Sequence, residues 1–102
     1  MRERITEIMF KIAEEQNPTL PRPIEIKKGA DAGLYGPSGV LDSLALVAFI
    51  VELEVMLEDE FGVAVVLANE RAMSQKSSPF LTIGSLAGYA EEVLKEAGAH
   101  GA

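Results

Sequence analysis

The N-terminal part of the chain alternates apolar and charged positions with the period of an α-helix. Apolar residues recur at the spacing i, i+3, i+4 and i+7, and charged residues occupy the other faces. The apolar positions are Ile5, Ile8, Met9 and Ile12. Pro18 ends the pattern, because the residue before a proline disfavours helical backbone angles. The spacing therefore predicts an amphipathic first helix.

A second and longer stripe predicts a helix that begins at Asp42 or Ser43 and ends at Glu60 or Phe61. Its apolar positions are spaced by three and four residues, so they fall on one side of a helix. Asp42 suits the N-cap, since its carboxylate can accept a free amide proton of the first turn. Gly62 is a natural C-terminal stop. The predicted buried positions are Leu46, Phe49, Ile50, Leu53, Met56 and Leu57, and the predicted solvated ones are Glu52, Glu54, Glu58 and Asp59.

A third stripe, which Thr82 can cap, predicts a last helix that ends before Gly98. Gly84 and Gly88 weaken this helix by roughly 1 kcal/mol each relative to alanine, so packing must hold it. Its apolar face comprises Ile83, Leu86, Ala90, Val93 and Leu94.

The segments between these helices are less regular. Residues 18–42 contain four prolines and form a long loop, and such loops in compact domains are often functional. We expect apolar side chains to pin this loop to the core: Ile24, Ile26, Leu34, Tyr35 and Leu41. Residues 63–67 are rich in valine but lack a convincing partner strand, so we expect an extended segment packed across the helices. Residues 69–74 are expected to form a short helix.

These elements predict an all-α fold in a single domain, 1–102. The architecture is a small four-helix bundle, with three main helices, one short helix and a long first loop.

Composition narrows the classes of function. The chain has 102 residues and a net charge of −7, which disfavours nucleic acid and favours partners with basic patches. It has no cysteine, and its one histidine, His100, lies in a Gly/Ala tail, so a histidine-activated nucleophile is not expected. We see no catalytic constellation, metal-ligand set, secretory signal or membrane-length apolar run. The expectation is a non-catalytic, cytoplasmic protein.

Ser43 is the main candidate for chemistry. It follows a glycine-containing loop, so another protein can reach it, and it lies in the first turn of the predicted second helix. Unpaired backbone amides and the helix dipole favour an attached anion there. Asp42, beside it, can help to orient the hydroxyl. The simpler interpretation is that Asp-Ser is ordinary capping chemistry.

Three motifs occur in a fixed order along the chain: LDSL at 41–44, EDEFGV at 58–63 and TIGSL at 82–86. Each opens or closes a predicted helix. In this order, and over nearly the whole chain, they resemble the acyl carrier protein family.

The resemblance implies that Ser43 carries 4′-phosphopantetheine, which a holo-carrier synthase transfers from coenzyme A with the help of magnesium. Asp42 and Leu44 would be the neighbours that this transferase reads. The thiol of the arm would hold acyl groups as thioesters for acyl-transferring or acyl-activating enzymes of fatty-acid, polyketide or related biosynthesis. The protein would be a monomeric phosphoprotein carrier with a fold of acyl-carrier type.

Some features depart from ordinary fatty-acid carriers. The second helix is about one turn longer, and Ala45 and Ala48 stand where acidic residues are common. The segment 68–80 is longer and more basic, with Arg71 and Lys76. These differences favour a specialised carrier. An aminoacyl or peptidyl carrier is the alternative within this class, and an unmodified helical interaction module is the alternative from another class.

A second apolar stripe on the long helix has two interpretations. It consists of Leu44, Val47, Val51 and Val55. It is either extra core covered by residues 63–67 or a partner-docking face close to Ser43. We predict docking through Leu44, Val47 and Val51, with Glu52 on an acidic rim that steers basic partners.

Overall fold

The computed structural model describes residues 1–37, 39–69 and 78–98. In these ranges the chain forms three α-helices, which we call α1 (Arg2–Gln16), α2 (Ser43–Phe61) and α3 (Ile83–Glu96). Two short 3₁₀ helices, Asn17–Thr19 and Ile26–Asp31, lie in the first loop. The described ranges contain no β-strand, so the predicted all-α class is confirmed. The predicted short helix at 69–74 lies outside the described residues, apart from Asn69.

α1 packs against both α2 and α3, and the 3₁₀ helix Ile26–Asp31 packs against α3. The predicted inner face of α1 is confirmed: Ile5, Ile8, Met9 and Ile12 are all buried. The first loop is fastened to the end of this helix by Asn17. Its side-chain amide donates to the Ile24 carbonyl oxygen at 3.1 Å, and its Oδ1 accepts from the Ile24 amide at 2.8 Å.

The predicted bounds of α2 are also confirmed. The helix ends at Phe61 because Gly62 adopts a left-handed conformation, φ 74°, which glycine reaches without steric cost. Its inner face is buried and consists of Leu46, Phe49, Ile50, Leu53 and Leu57, whereas Met56 is half-buried.

α3 begins with a reciprocal pair of hydrogen bonds. The Ser85 amide donates to Thr82 Oγ1, and the Thr82 amide donates to Ser85 Oγ, both at 3.0 Å. The predicted apolar face is buried except for Val93, which is half-buried. Gly84 packs against Ala30, where a Cβ would lie 3.0 Å from both the Cβ and the carbonyl oxygen of that residue. Close packing thus explains this glycine inside the helix.

As predicted, residues 63–67 form no strand, and they bury Val65 and Leu67. The Leu67 amide donates to Glu54 Oε2 at 2.7 Å. Glu54 is therefore half-buried and ties α2 to this segment, and its prediction as a solvated residue is wrong. Residues 63–67 form no strand, so the Leu67 amide needs an acceptor other than a neighbouring strand, and Glu54 supplies it.

Several loop residues predicted to contact the core do so. Ile24, Leu34 and Leu41 are buried, and Ile26 and Tyr35 are half-buried against the core. Over 1–37, 39–69 and 78–98, no helix has the length and apolar character that crossing a membrane requires.

Candidate functional site

Two segments distant in sequence pair: residues 33–35, in the loop that leads into α2, and residues 80–82, directly before α3. Gly33 and Thr82 form an isolated antiparallel bridge. The Leu34 amide donates to the Leu81 carbonyl oxygen at 2.8 Å, and the Tyr35 amide donates to the Phe80 carbonyl oxygen at 3.2 Å. The loop that leads into α2 is therefore held against the chain that leads into α3.

The same loop then folds back on itself. The Leu34 carbonyl oxygen accepts from the amides of Val40 and Leu41, at 3.1 and 2.8 Å. Gly39 lies so close to this turn that a Cβ would be 2.5 Å from the Tyr35 nitrogen, which leaves no room for a side chain. Leu41 is buried at the end of the turn. The backbone thus enters α2 from a fixed position.

Asp42 is the N-cap of α2, as predicted. Its Oδ1 accepts from the Ala45 amide at 2.8 Å, and its backbone is extended, with φ −81° and ψ 178°. The cap is therefore supplied by Asp42, so the Ser43 hydroxyl is not used to begin the helix.

The Ser43 hydroxyl is exposed and has a neighbour that the sequence did not indicate. Tyr35 Oη lies 3.2 Å from Ser43 Oγ, and either hydroxyl can be the donor. Tyr35 is thus the described hydrogen-bond partner of this hydroxyl, whereas Asp42 is bonded to the Ala45 amide. The prediction that Tyr35 pins the loop to the core is confirmed as well, because its half-buried ring packs on the core. Tyr35 lies in the first loop, outside any helix or strand, so no periodic pattern relates it to Ser43.

The second stripe of α2 faces away from the core. Leu44 is 81% exposed, and Val47, Val51 and Val55 are 54%, 52% and 54% exposed. Residues 63–67 do not cover it, so the interpretation as extra core is wrong. Glu52 is exposed beside this stripe. We call Leu44, Val47, Val51 and Val55 the exposed apolar stripe, and it begins directly after Ser43.

An open groove of about 390 Å³ lies beside the first two turns of α2. Ala45 and Ala48 line it from α2, and Leu20 and Pro21 line it from the first loop. Small side chains at 45 and 48 keep the groove open. The first turns of α2 thus carry Ser43, the start of the apolar stripe and a shallow cleft.

The carboxylates with shifted pKa values lie elsewhere. A hydrogen bond from Arg4 lowers the pKa of Glu60, near the far end of α2. At 1.5 Å per residue, Glu60 is about 25 Å along the helix axis from Ser43. Burial raises the pKa of Glu91, but Lys95 and Arg2 outweigh it, so the net shift is downward. The candidate site presents the exposed hydroxyl of Ser43.

No family model, no curated protein and no solved structure matches this chain.

Proposed function

We propose that this protein is an acyl carrier with a fold of acyl-carrier type, in which Ser43 is the attachment site for 4′-phosphopantetheine. The observation that carries this proposal is the state of Ser43: its hydroxyl is exposed in the first turn of α2 while Asp42 supplies the cap. A hydroxyl that does not cap its own helix can be esterified without loss of the helix start.

The local electrostatics support an attached anion. In the first turn of a helix, the amides of Ser43 and Leu44 have no acceptor within the helix, and the helix dipole places partial positive charge there. When bound, 4′-phosphopantetheine supplies a terminal thiol that holds an acyl group as a thioester. The chain's own part is to offer the Ser43 oxygen, hold its position through the turn at Leu34 and Gly39, and present a docking surface.

The exposed apolar stripe supports an interaction with enzymes beside that oxygen. Leu44, Val47 and Val51 are exposed over two turns after Ser43, and Glu52 is exposed next to them. An apolar strip on an acidic protein suits partners with an apolar contact surface and a basic rim. We propose that holo-carrier synthase and acyl-transferring or acyl-activating enzymes dock here, in the cytoplasm. The same chemistry would serve an aminoacyl or peptidyl carrier.

A second candidate function rests on the same stripe. More than half of each of its four side chains is exposed, as in surfaces that bind a partner. An unmodified interaction module would use the stripe and leave Ser43 as a free hydroxyl. The two candidates differ in whether Ser43 accepts a phosphopantetheine group.

The test is intact-protein mass after incubation with coenzyme A, Mg²⁺ and a broad-specificity phosphopantetheinyl transferase. We expect wild type to gain one phosphopantetheine group and Ser43→Ala to gain none. Alanine is the most favourable residue in a helix, and Asp42 still caps α2, so the variant should fold.

Ser78→Ala is the matched control, because it removes a serine hydroxyl that contacts the Phe80 amide away from α2. This variant should gain the group as wild type does. A folded wild-type protein that gains no mass, while a known carrier in the same reaction does, would contradict the carrier function and favour the interaction module.

A further inference from the structure

We propose that Tyr35 is a positioning residue for the group on Ser43, its hydroxyl donating a hydrogen bond to the phosphodiester. This inference rests on the proposed function and adds a residue that the motifs around Ser43 do not include. The observation behind it is the 3.2 Å contact between Tyr35 Oη and Ser43 Oγ.

Backbone hydrogen bonds and close packing fix the position of Tyr35. Its amide is bonded to the Phe80 carbonyl oxygen, and the preceding residue, Leu34, is buried and bonded to Leu81. Gly39 packs closely against the same residue, since a Cβ on Gly39 would lie 2.5 Å from the Tyr35 nitrogen. Because the backbone is already held in place, little conformational entropy remains to be lost when the hydroxyl binds a ligand.

The hydroxyl of Tyr35 is available for this role. In the described part of the chain, its hydrogen-bond partner is Ser43 Oγ. A tyrosine hydroxyl both donates and accepts, as does a serine hydroxyl. Esterification removes the Ser43 proton, so Tyr35 must then act as the donor. It gains an anionic acceptor in the phosphate oxygens, which lie two bonds beyond Oγ, and hydrogen bonds to ionised acceptors are shorter and stronger than neutral ones.

The negative charge around Ser43 makes a hydrogen-bond donor to the phosphodiester valuable. The chain has a net charge of −7, and the Asp42 carboxylate is adjacent to Ser43. Among the described residues, no ion pair links Asp42 to a cation. A neutral donor on a fixed backbone can therefore hold a phosphodiester oxygen and restrict rotation at the base of the arm. The arm would leave the protein in a preferred direction.

The test is ³¹P NMR of the loaded protein, which observes the phosphodiester directly and needs no partner enzyme. Wild type, Tyr35→Phe and Tyr89→Phe are loaded with phosphopantetheine and compared when folded and when unfolded in urea. Tyr35→Phe retains the packed ring and removes one exposed hydroxyl, so it should fold. Tyr89→Phe is the matched control, because its hydroxyl is bonded to Asn69 rather than to Ser43.

We expect the ³¹P signal of folded wild type to differ from that of the unfolded protein by more than the line width. Tyr35→Phe should move the folded signal toward the unfolded position, and Tyr89→Phe should leave it unchanged. A folded Tyr35→Phe protein whose signal coincides with that of wild type would overturn the role of Tyr35, and so would a wild-type signal that is unaffected by unfolding.

The loading step separates this inference from the proposed function. If wild type gains no phosphopantetheine, the carrier function fails and the role of Tyr35 fails with it. If wild type is loaded and Tyr35→Phe has no effect on the signal, the carrier function stands and the positioning role alone is excluded.

Discussion

At the scale of single residues, Asp42 and Ser43 are neighbours with separate tasks. The Asp42 carboxylate is bonded to the Ala45 amide and begins α2. The Ser43 side chain takes no part in that cap and instead contacts Tyr35. This division leaves a hydroxyl accessible at a helix start without weakening the helix.

Asp42→Ala should therefore destabilise the protein by about 1 kcal/mol, the usual cost of losing an N-cap side chain. The measurement is the free energy of unfolding from urea denaturation monitored by circular dichroism. Asp59→Ala is the matched control, since it removes a carboxylate near the C-terminal end of the same helix. A negative charge is unfavourable at that end, so this change should be neutral or slightly stabilising. Equal losses in both variants would refute the capping role.

At the scale of elements, α2 has two apolar faces with different environments. One face contains fully buried residues such as Phe49 and Leu53, and the other is the exposed apolar stripe. A helix with apolar residues on most of its circumference is expected to be buried all round. α2 departs from this expectation, and the departure is the structural reason for proposing that its outer face docks a partner.

Val51→Lys should separate docking from folding. Val51 is 52% exposed, so the free energy of unfolding should change by no more than about 0.5 kcal/mol. Loss of one apolar contact and addition of a charge facing a basic partner should raise the transferase KM about tenfold, the equivalent of roughly 1.4 kcal/mol. The value of kcat should stay close to that of wild type, because docking contacts act on binding.

Val66→Lys is the matched control for this variant, since Val66 is 60% exposed outside α2. Its kinetics should resemble those of wild type. If both variants raise KM to the same extent, a general charge effect rather than the stripe explains the result.

At the scale of the whole molecule, ion pairs join helices that are far apart in sequence. Arg4, on α1, bonds to Glu60, on α2, at 3.0 Å, and also to Glu7 on its own helix. Arg2 bonds to Glu91 on α3 at 3.3 Å. These pairs lie at the surface, so each contributes little to the free energy of unfolding.

The Arg4–Glu60 pair predicts a pH dependence. The hydrogen bond from Arg4 lowers the pKa of Glu60 in the folded state below its ordinary value of 4.5. A lowered folded-state pKa contributes stability that is fully present above the unfolded pKa and is lost as pH falls through the folded one. Glu60→Gln should therefore reduce the fall in the urea midpoint below pH 4.5.

Glu14→Gln is the control for this titration, because Glu14 is exposed on α1 and forms no ion pair within the described residues. It should leave the acid limb of the stability curve close to that of wild type. If Glu60→Gln and wild type lose stability in parallel below pH 4.5, the pair contributes nothing to folding.

The sequence by itself determined the helices and their inner faces. The bounds of α2, the cap at Asp42 and the stop at Gly62 depend on contacts within a few residues, which local spacing reveals. The buried faces of α1 and α3 followed from the 3.6-residue period for the same reason. The candidate serine was also evident from local order, since it stands between a loop and a helix start.

The tertiary structure decided what each of these features contacts. Tyr35 meets Ser43 because residues 33–35 pair with residues 80–82, and hydrogen bonds between segments some 47 residues apart leave no periodic trace in the chain. The hydrogen bond between Glu54 and Leu67 also depends on how segments from different parts of the chain pack. The same is true of the outward-facing valines of α2, which no other element of the described structure covers. The pattern of apolar residues indicates which side chains can be buried. The packing of the other elements decides which of them are covered.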